Sequence, residues 1–264
     1  MQNNEKTYFL DMFSGIGGFA LAAYWAGLRF DGHYFSEINK WAVELYQKRF
    51  PNAIALGDIT EVDYGKLPKG KWLITGGFPC QPHSIAGKRK ASKDKRDLWP
   101  ECSRALSSLR PEIALFENVP GVLISDGGRF FNQILSDISE SGHAAEWQII
   151  SAAEVGAKHK RERVWIVAYS IGKRYLEAEQ SLKRLQNLSK KNKNIRKEWG
   201  LLRSISAGAY TLRNWEAYEQ ILTGNYDGIP GELDGIEGAG NAIVPQCAEM
   251  IMNLPAFDLW RAVE

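Results

Sequence analysis

Cysteine is scarce in this sequence. There are three, Cys80, Cys102 and Cys247, lying 22 and 145 positions apart with no CxxC pair among them. That spacing argues against a zinc site, and an odd number of scattered thiols argues against a disulfide framework. No run approaches eighteen uninterrupted apolar residues, which removes a transmembrane helix from consideration. The start, MQNNEKTYFLDMF, has neither the basic opening and apolar stretch nor the small-residue cleavage site of a secretory signal. The expectation is a soluble, cytoplasmic protein without a membrane partner. Excess charge is also missing, since the net value is only +2 over 264 residues.

The remaining composition is that of a globular chain long enough for a sizeable core, with 44% hydrophobic and 24% charged residues. The small net charge conceals an asymmetry. Residues 171–203 carry 10 Lys/Arg against 3 Asp/Glu, whereas residues 204–264 carry 2 against 9. The first of these segments is a +7 patch, which suits either a polyanionic partner or a solvated helix face.

Over the first 170 residues, apolar runs alternate with amphipathic stretches. The segments 7–13, 33–38, 52–59, 71–78, 112–119 and 163–170 read as strands. Helical spacing falls at 17–28, 39–50, near Trp99 to Leu109 and near Phe130 to Ser139, with Pro51 and Pro111 where helices should stop. This alternation predicts an α/β fold built on a parallel sheet with helices on both faces. After Ser170 the pattern breaks: 171–203 is basic, 204–237 is Gly-rich and irregular, and 242–260 returns to helical apolar spacing. The simplest division is a domain of residues 1–170 plus 238–264, interrupted by a small insert at 171–237.

The first strand runs into Phe13-Ser14-Gly15-Ile16-Gly17-Gly18. Glycines there let the backbone approach a ligand, and the helix that follows offers free N–H groups. Glu37 ends the second strand 22 residues after Gly15, where a carboxylate can hold ribose hydroxyls, and Asp58 ends the third. The turn is GxGG rather than GxGxxG, which counts against a nicotinamide-dependent oxidoreductase. Two acids at successive strand ends favour an adenosyl ligand without a pyrophosphate.

The strand 71–78 leads into Pro79-Cys80-Gln81-Pro82-His83-Ser84. A cysteine beyond the carboxyl end of a parallel strand lies where α/β enzymes keep reactive groups. Cys102 and Cys247 fall within amphipathic helices and read as small buried hydrophobes. Around Cys80 the chain is basic, with Lys88, Arg89, Lys90, Lys93, Lys95 and Arg96 opposed by Asp94 and Asp97. Positive charge of that kind stabilises a thiolate and attracts phosphates. Glu117, in FENV, ends another strand and either faces Cys80 or caps the segment after it. Arg161 and Arg163 precede the strand 164–170, where alternation puts both on one face.

In their order, DMFSGIGG, SEIN, GDIT, GGFPCQPHSIAGK, FENV, HKRERVWIV and GAGNAIVPQCAEMI resemble the blocks of the cytosine-C5 DNA methyltransferases. The seven blocks cover about residues 8–170 and 238–253, in a compact form similar to phage and prophage enzymes. The resemblance implies a Rossmann-like sheet binding S-adenosyl-L-methionine (SAM), without a metal. It also implies a small inserted target-recognition domain and a last block that packs back against the first. Its implied partner is double-stranded DNA, acted on by a monomer in the bacterial or phage-infected cytoplasm at the nucleoid. A cognate restriction endonuclease acting separately fits the restriction-modification setting of the family.

Residue roles follow from the same resemblance. Cys80 is the nucleophile that adds to carbon 6 of a flipped cytosine, Glu117 holds N3 and the exocyclic amine, Arg163 holds O2, and Arg161 supports the pocket. Phe13, Ser14, Gly15, Gly17 and Gly18 surround the cofactor. Glu37 takes its ribose and Ile38 an adenine face. Asp58, with Ile59 beside it, takes the adenine amine, Pro79 and Leu98 line the pocket, and Asn241 and Ile243 join from the last block. Gln81, Ser84, Lys88, Arg89 and Arg96 belong to a loop that closes over DNA. His159 stands where the family has Gln. The interval 171–237 is short for a recognition domain, which implies short or loose sequence reading. The RNA-modifying branch carries a Cys-Phe-Thr element that is absent here. A silent binding module need not retain Cys80, Glu117, Arg161 and Arg163 together.

Overall fold

The computed structural model of the chain describes residues 5–79, 97–170 and 243–261. Cys80, Gln81, Ser84, Lys88, Arg89, Arg96, Asn241 and the whole interval 171–237 lie outside the described residues.

Seven strands form one sheet: β1 (Thr7–Met12), β2 (Gly32–Ser36), β3 (Ile54–Ala55), β4 (Lys71–Gly76), β5 (Ile113–Asn118), β6 (His143–Ser151) and β7 (Glu162–Ser170). Their order is β3-β2-β1-β4-β5-β7-β6. β1 through β5 are parallel, whereas β7 runs antiparallel to β5 and to β6. The all-parallel reading is therefore corrected to a mixed sheet with an antiparallel β6–β7 edge, and β6 is a strand that sequence patterning did not supply. The strand read at 52–59 shrinks to two residues.

Every residue of β5, and all but the first of β1 and β4, is buried, as a strand covered on both faces requires. Among the described residues five α-helices supply the cover: α1 (Gly18–Trp25), α2 (Lys40–Arg49), α3 (Trp99–Leu109), α4 (Arg129–Glu140) and α5 (Pro245–Met252). Asn39 caps α2 by accepting from the Ala42 N–H at 3.2 Å. Buried residues of α1 and α5, with Tyr46 of α2, share one core; those of α3 and α4 share a second, and Ala42 and Leu45 of α2 join Ile16 in a small third. The last block does pack on the first, with Ala22, Ala23, Cys247, Ala248 and Met252 in one cluster. Cys102 and Cys247 are both buried.

Gly18 fixes how closely these blocks meet, because a Cβ there would lie 2.5 Å from Cγ1 of Ile243. Gly18→Ala is expected to cost about 1–3 kcal/mol of stability by overpacking, outweighing the better helix propensity of Ala. Ile243→Ala removes the obstructing atom, so the double variant should recover most of that loss in denaturant melts. Additive losses would show that the close approach is not the cause.

Among the described residues no helix is long and apolar enough to cross a membrane.

Candidate active site

Chain order reverses between β1 and β4, which are neighbours although β2 and β3 intervene in sequence. In an open α/β sheet that is where a crevice opens beyond the carboxyl ends of the strands. Two segments flank it: the glycine turn after β1, and the irregular Gly77-Phe78-Pro79 after β4.

The glycine turn is built from left-handed backbone, with φ of 51° at Phe13, 50° at Gly15 and 88° at Gly17. Ser14 N–H donates to Ser36 O at 3.0 Å, Gly17 N–H to Ser14 O at 2.9 Å, and Arg49 Nη1 to Ile16 O at 2.7 Å. At Gly17 a Cβ would meet the Phe50 ring at 2.9 Å, whereas at Gly15 nothing among the described residues lies within 4 Å. Gly15 thus faces open space, with the Glu37 carboxylate on its amide: Gly15 N–H donates to Glu37 Oε2 at 2.8 Å. Glu37 Oε1 takes the N–H groups of Ile38 at 2.9 Å and Asn39 at 2.8 Å. The Ser14 hydroxyl is buried with no hydrogen-bond partner among the described residues.

Ile38 is 74% exposed beside this turn, a position where an aliphatic side chain has no packing reason to be. Asp58 opens a 3-10 turn, Ile59–Glu61. Its Oδ1 accepts from the Thr60 N–H at 2.9 Å and the Thr60 hydroxyl at 2.8 Å. Those bonds hold its carboxyl below the usual carboxylate range. Ile59 itself is buried beneath the turn. Pro79 is exposed at the end of the β4 segment, and Leu98 is half-buried just before α3.

Glu117 ends β5 and is buried. Because β7 runs antiparallel to β5, its first residues reach the same edge, with Asn118 opposite Val164. Arg163 Nε lies 2.8 Å from Glu117 Oε1. Burial nevertheless pushes the Glu117 carboxyl upward, and the charges of Arg163 and Arg161 only partly restrain it. The result is a carboxyl group able to carry a proton next to two guanidiniums. Arg161 is outside the strand in left-handed backbone at φ 26°, and its carbonyl and that of Lys160 accept from Ala152 N–H.

Two residues that sequence reasoning did not single out shape this edge. Gly77 leaves room for the acid, since a Cβ there would be 3.3 Å from Glu117 Oε2. Asn118 Nδ2 donates to Phe78 O at 3.1 Å while its Oδ1 takes the Val119 N–H at 2.8 Å. Asn118 thereby ties the end of β5 to the segment that leads into Pro79. Its place in FENV, directly after the acid, was the available signal.

A family model described as C-5 cytosine-specific DNA methylase matches residues 7–229. The type II methyltransferase M.NlaX of Neisseria lactamica is 34% identical over 161 residues, which cover 61% of this chain and 51% of that protein. The matched region thus spans from 33% to 51% of the length of the curated relatives. Among solved structures, a putative DNA modification methyltransferase encoded within an Escherichia coli prophage superimposes with a TM-score of 0.52 at 26% identity. That match covers 62% of this chain and 47% of the other. A mutant of Spodoptera frugiperda DNMT2 gives a TM-score of 0.53 at 25% identity, over 62% of this chain and 50% of that one.

Proposed function

The chain belongs to the C-5 cytosine-specific DNA methylase family, and on that premise we propose that it methylates carbon 5 of cytosine in duplex DNA, using SAM. The observation that carries the proposal is the buried Glu117, paired with Arg163 at 2.8 Å and held at the mouth of the crevice beside the segment that enters Cys80.

The crevice fits SAM on its own features. Gly15 has open space above it, the Ser14 hydroxyl is buried and unpartnered among the described residues, and an acid stands at each of two neighbouring strand ends. Phe13 to Gly18 would surround the methionine portion, with Pro79, Leu98, Asn241 and Ile243 completing the wall. Glu37 would take ribose hydroxyls, Ile38 would cover one adenine face, and Asp58 would accept from the adenine amine. Bound SAM supplies an electrophilic methyl group.

The protein's own part is to make carbon 5 nucleophilic. The Cys80 thiolate adds to carbon 6 at the expense of the carbon 5–carbon 6 π bond, which ends the aromaticity of the ring and leaves carbon 5 enamine-like. Glu117, which burial favours in its protonated form, donates to N3 as negative charge develops there and accepts from the exocyclic amine. Arg163 serves the cytosine O2 and fixes the acid; Arg161 adds positive charge at the same wall. After methylation, carbon 5 loses its proton to solvent, the Cys80 thiolate leaves carbon 6 as the double bond re-forms, and N3 returns its proton to Glu117, which restores the aromatic ring. The base must first leave the duplex, at a cost of a few kcal/mol. The basic residues Lys88, Arg89 and Arg96, with Gln81 and Ser84, would close on the DNA, and 171–237 would form a small target-recognition domain between the two parts of the catalytic domain. The enzyme would act as a cytoplasmic monomer at the nucleoid, with any restriction endonuclease working separately.

Bisulfite sequencing of plasmid DNA from bacteria expressing the protein, beside an empty-vector control, tests this reading. Protected cytosines in a recurring context establish the activity and name the target. Protection spread over most cytosines establishes the chemistry with little sequence reading by the insert. An unprotected plasmid, from cells in which the protein is folded and binds SAM, overturns the proposal.

A further inference from the structure

The turn that carries Asp58 is poorly held by its own backbone. It consists of two three-residue 3-10 turns, Ile59–Glu61 and Tyr64–Lys66, capped by Asp58 and Asp63. Each is closed by only two backbone bonds, Glu61 N–H to Asp58 O at 3.0 Å and Val62 N–H to Ile59 O at 3.3 Å in the first, Lys66 N–H to Asp63 O at 3.1 Å and Leu67 N–H to Tyr64 O at 3.2 Å in the second. Short 3-10 segments have strained hydrogen bonds and little cooperativity, so something outside must set their position.

Arg104, on α3, does that. Its Nη2 donates to Ile59 O at 2.6 Å and its Nη1 to Val62 O at 2.6 Å, while Nε donates to Glu101 Oε2 at 2.7 Å. The guanidinium plane lies over the buried Tyr64 ring, 4.5 Å from its centroid. α3 is in turn anchored in the core through Trp99, Cys102, Ala105 and Leu106. One planar cation therefore joins both turns to a rigid helix, with Glu101 orienting it. Among the described residues the Asp58 carboxylate uses only Oδ1, on Thr60. Its second oxygen is set in space by wherever Ile59 O is clamped, one residue along the chain.

We propose that Arg104 is a positioning residue for adenine recognition, aiming the Asp58 carboxylate at the exocyclic amine of the cofactor by clamping the carbonyls of Ile59 and Val62. The proposal rests on the reading of Asp58 given above. A lysine cannot replace the guanidinium here, because a single ammonium lacks the flat fork that reaches two carbonyls and a carboxylate together.

The test measures binding of S-adenosylhomocysteine and S-inosylhomocysteine, which differ in having an amine or a carbonyl at the recognised position. Wild type, Arg104→Lys, Glu101→Gln and Asp58→Ala are compared, with thermal melts confirming that each is folded. Wild type should prefer the amine by roughly tenfold or more, the loss expected when a positioned acceptor meets no donor. Arg104→Lys should narrow that preference to a few-fold, and Glu101→Gln should narrow it less. In the Asp58→Ala background, Arg104→Lys should leave the preference unchanged. Equal weakening of both ligands by Arg104→Lys, with the preference intact, would make Arg104 merely structural and overturn the proposal. Tight binding of both ligands by wild type without preference would instead overturn the Asp58 reading beneath it.

Discussion

Methyl transfer is expected to fall below detection in Cys80→Ala and by about a thousandfold in Glu117→Gln, with SAM affinity within about twofold of wild type in both. The two losses have different origins. Without the thiolate, cytosine keeps its aromatic ring and carbon 5 has no electron pair to offer. An amide in place of the Glu117 carboxyl would keep the volume of the acid and could still donate to N3, but it has no proton to give up. Its oxygen could still accept from Arg163 Nε, which lies 2.8 Å from Glu117 Oε1, so the wall of the pocket would be kept. Glu117→Gln should therefore lose kcat far more than DNA affinity, since ground-state hydrogen bonds survive and proton transfer does not. DNA containing 5-fluorocytosine separates the steps, because the fluorine cannot leave as a proton does and the Cys80 adduct persists. Wild type should form a stable covalent complex, Glu117→Gln should form it slowly, and Cys80→Ala should form none. Turnover by Cys80→Ala would end the nucleophile assignment; wild-type kcat in Glu117→Gln would end that of the acid.

The sequence made the parallel half of this architecture legible because each of its signals is local. A buried strand, a glycine turn and an acid at the next strand end lie within 30 residues of one another, and Glu37 does meet Gly15. β6 was not legible because Glu146, Trp147, Gln148 and Ile149 are all exposed at the sheet edge, so no face imposes alternation on them. Nor does periodicity carry strand direction, which is why the antiparallel β7 came as a correction. That direction matters to the site: it alone brings Arg163 to the carboxyl edge of the parallel strands. Arg104 was hidden for another reason. Two of its acceptors are backbone carbonyls 42 and 45 residues away, and no residue type marks a carbonyl as awaiting a guanidinium.

Asp11→Asn is expected to stabilise the protein at pH 8 by up to about 4 kcal/mol and to change little at pH 4. Asp11 stands between Leu10 and Met12 on the central strand β1 and is completely buried. Its carboxyl accepts from the Thr75 hydroxyl at 2.8 Å and the Tyr46 hydroxyl at 3.1 Å, and from the Ala20 N–H in the first turn of α1. Burial outweighs those donors and lifts the Asp11 pKa from 3.8 to about 7. Between these values the folded protein keeps a proton that the unfolded chain releases, so stability falls as pH rises across that window and levels off above it. His33, whose ring lies 2.8 Å from the same Tyr46 hydroxyl, acts oppositely. Burial lowers it from 6.5 to about 4, so its contribution falls as pH drops. Glu249, raised by burial to about 7, adds to the Asp11 trend. Because these contributions overlap, wild-type stability against pH alone cannot isolate Asp11, whereas the difference from Asp11→Asn cancels the other two. Asn can donate to the Tyr46 oxygen and accept from the Thr75 hydroxyl, so both hydroxyls keep a partner on β1. Urea unfolding of both proteins from pH 4 to 8 should give a difference that opens steadily through about pH 7. A difference independent of pH would mean that Asp11 is ionised throughout, with its three donors outweighing burial.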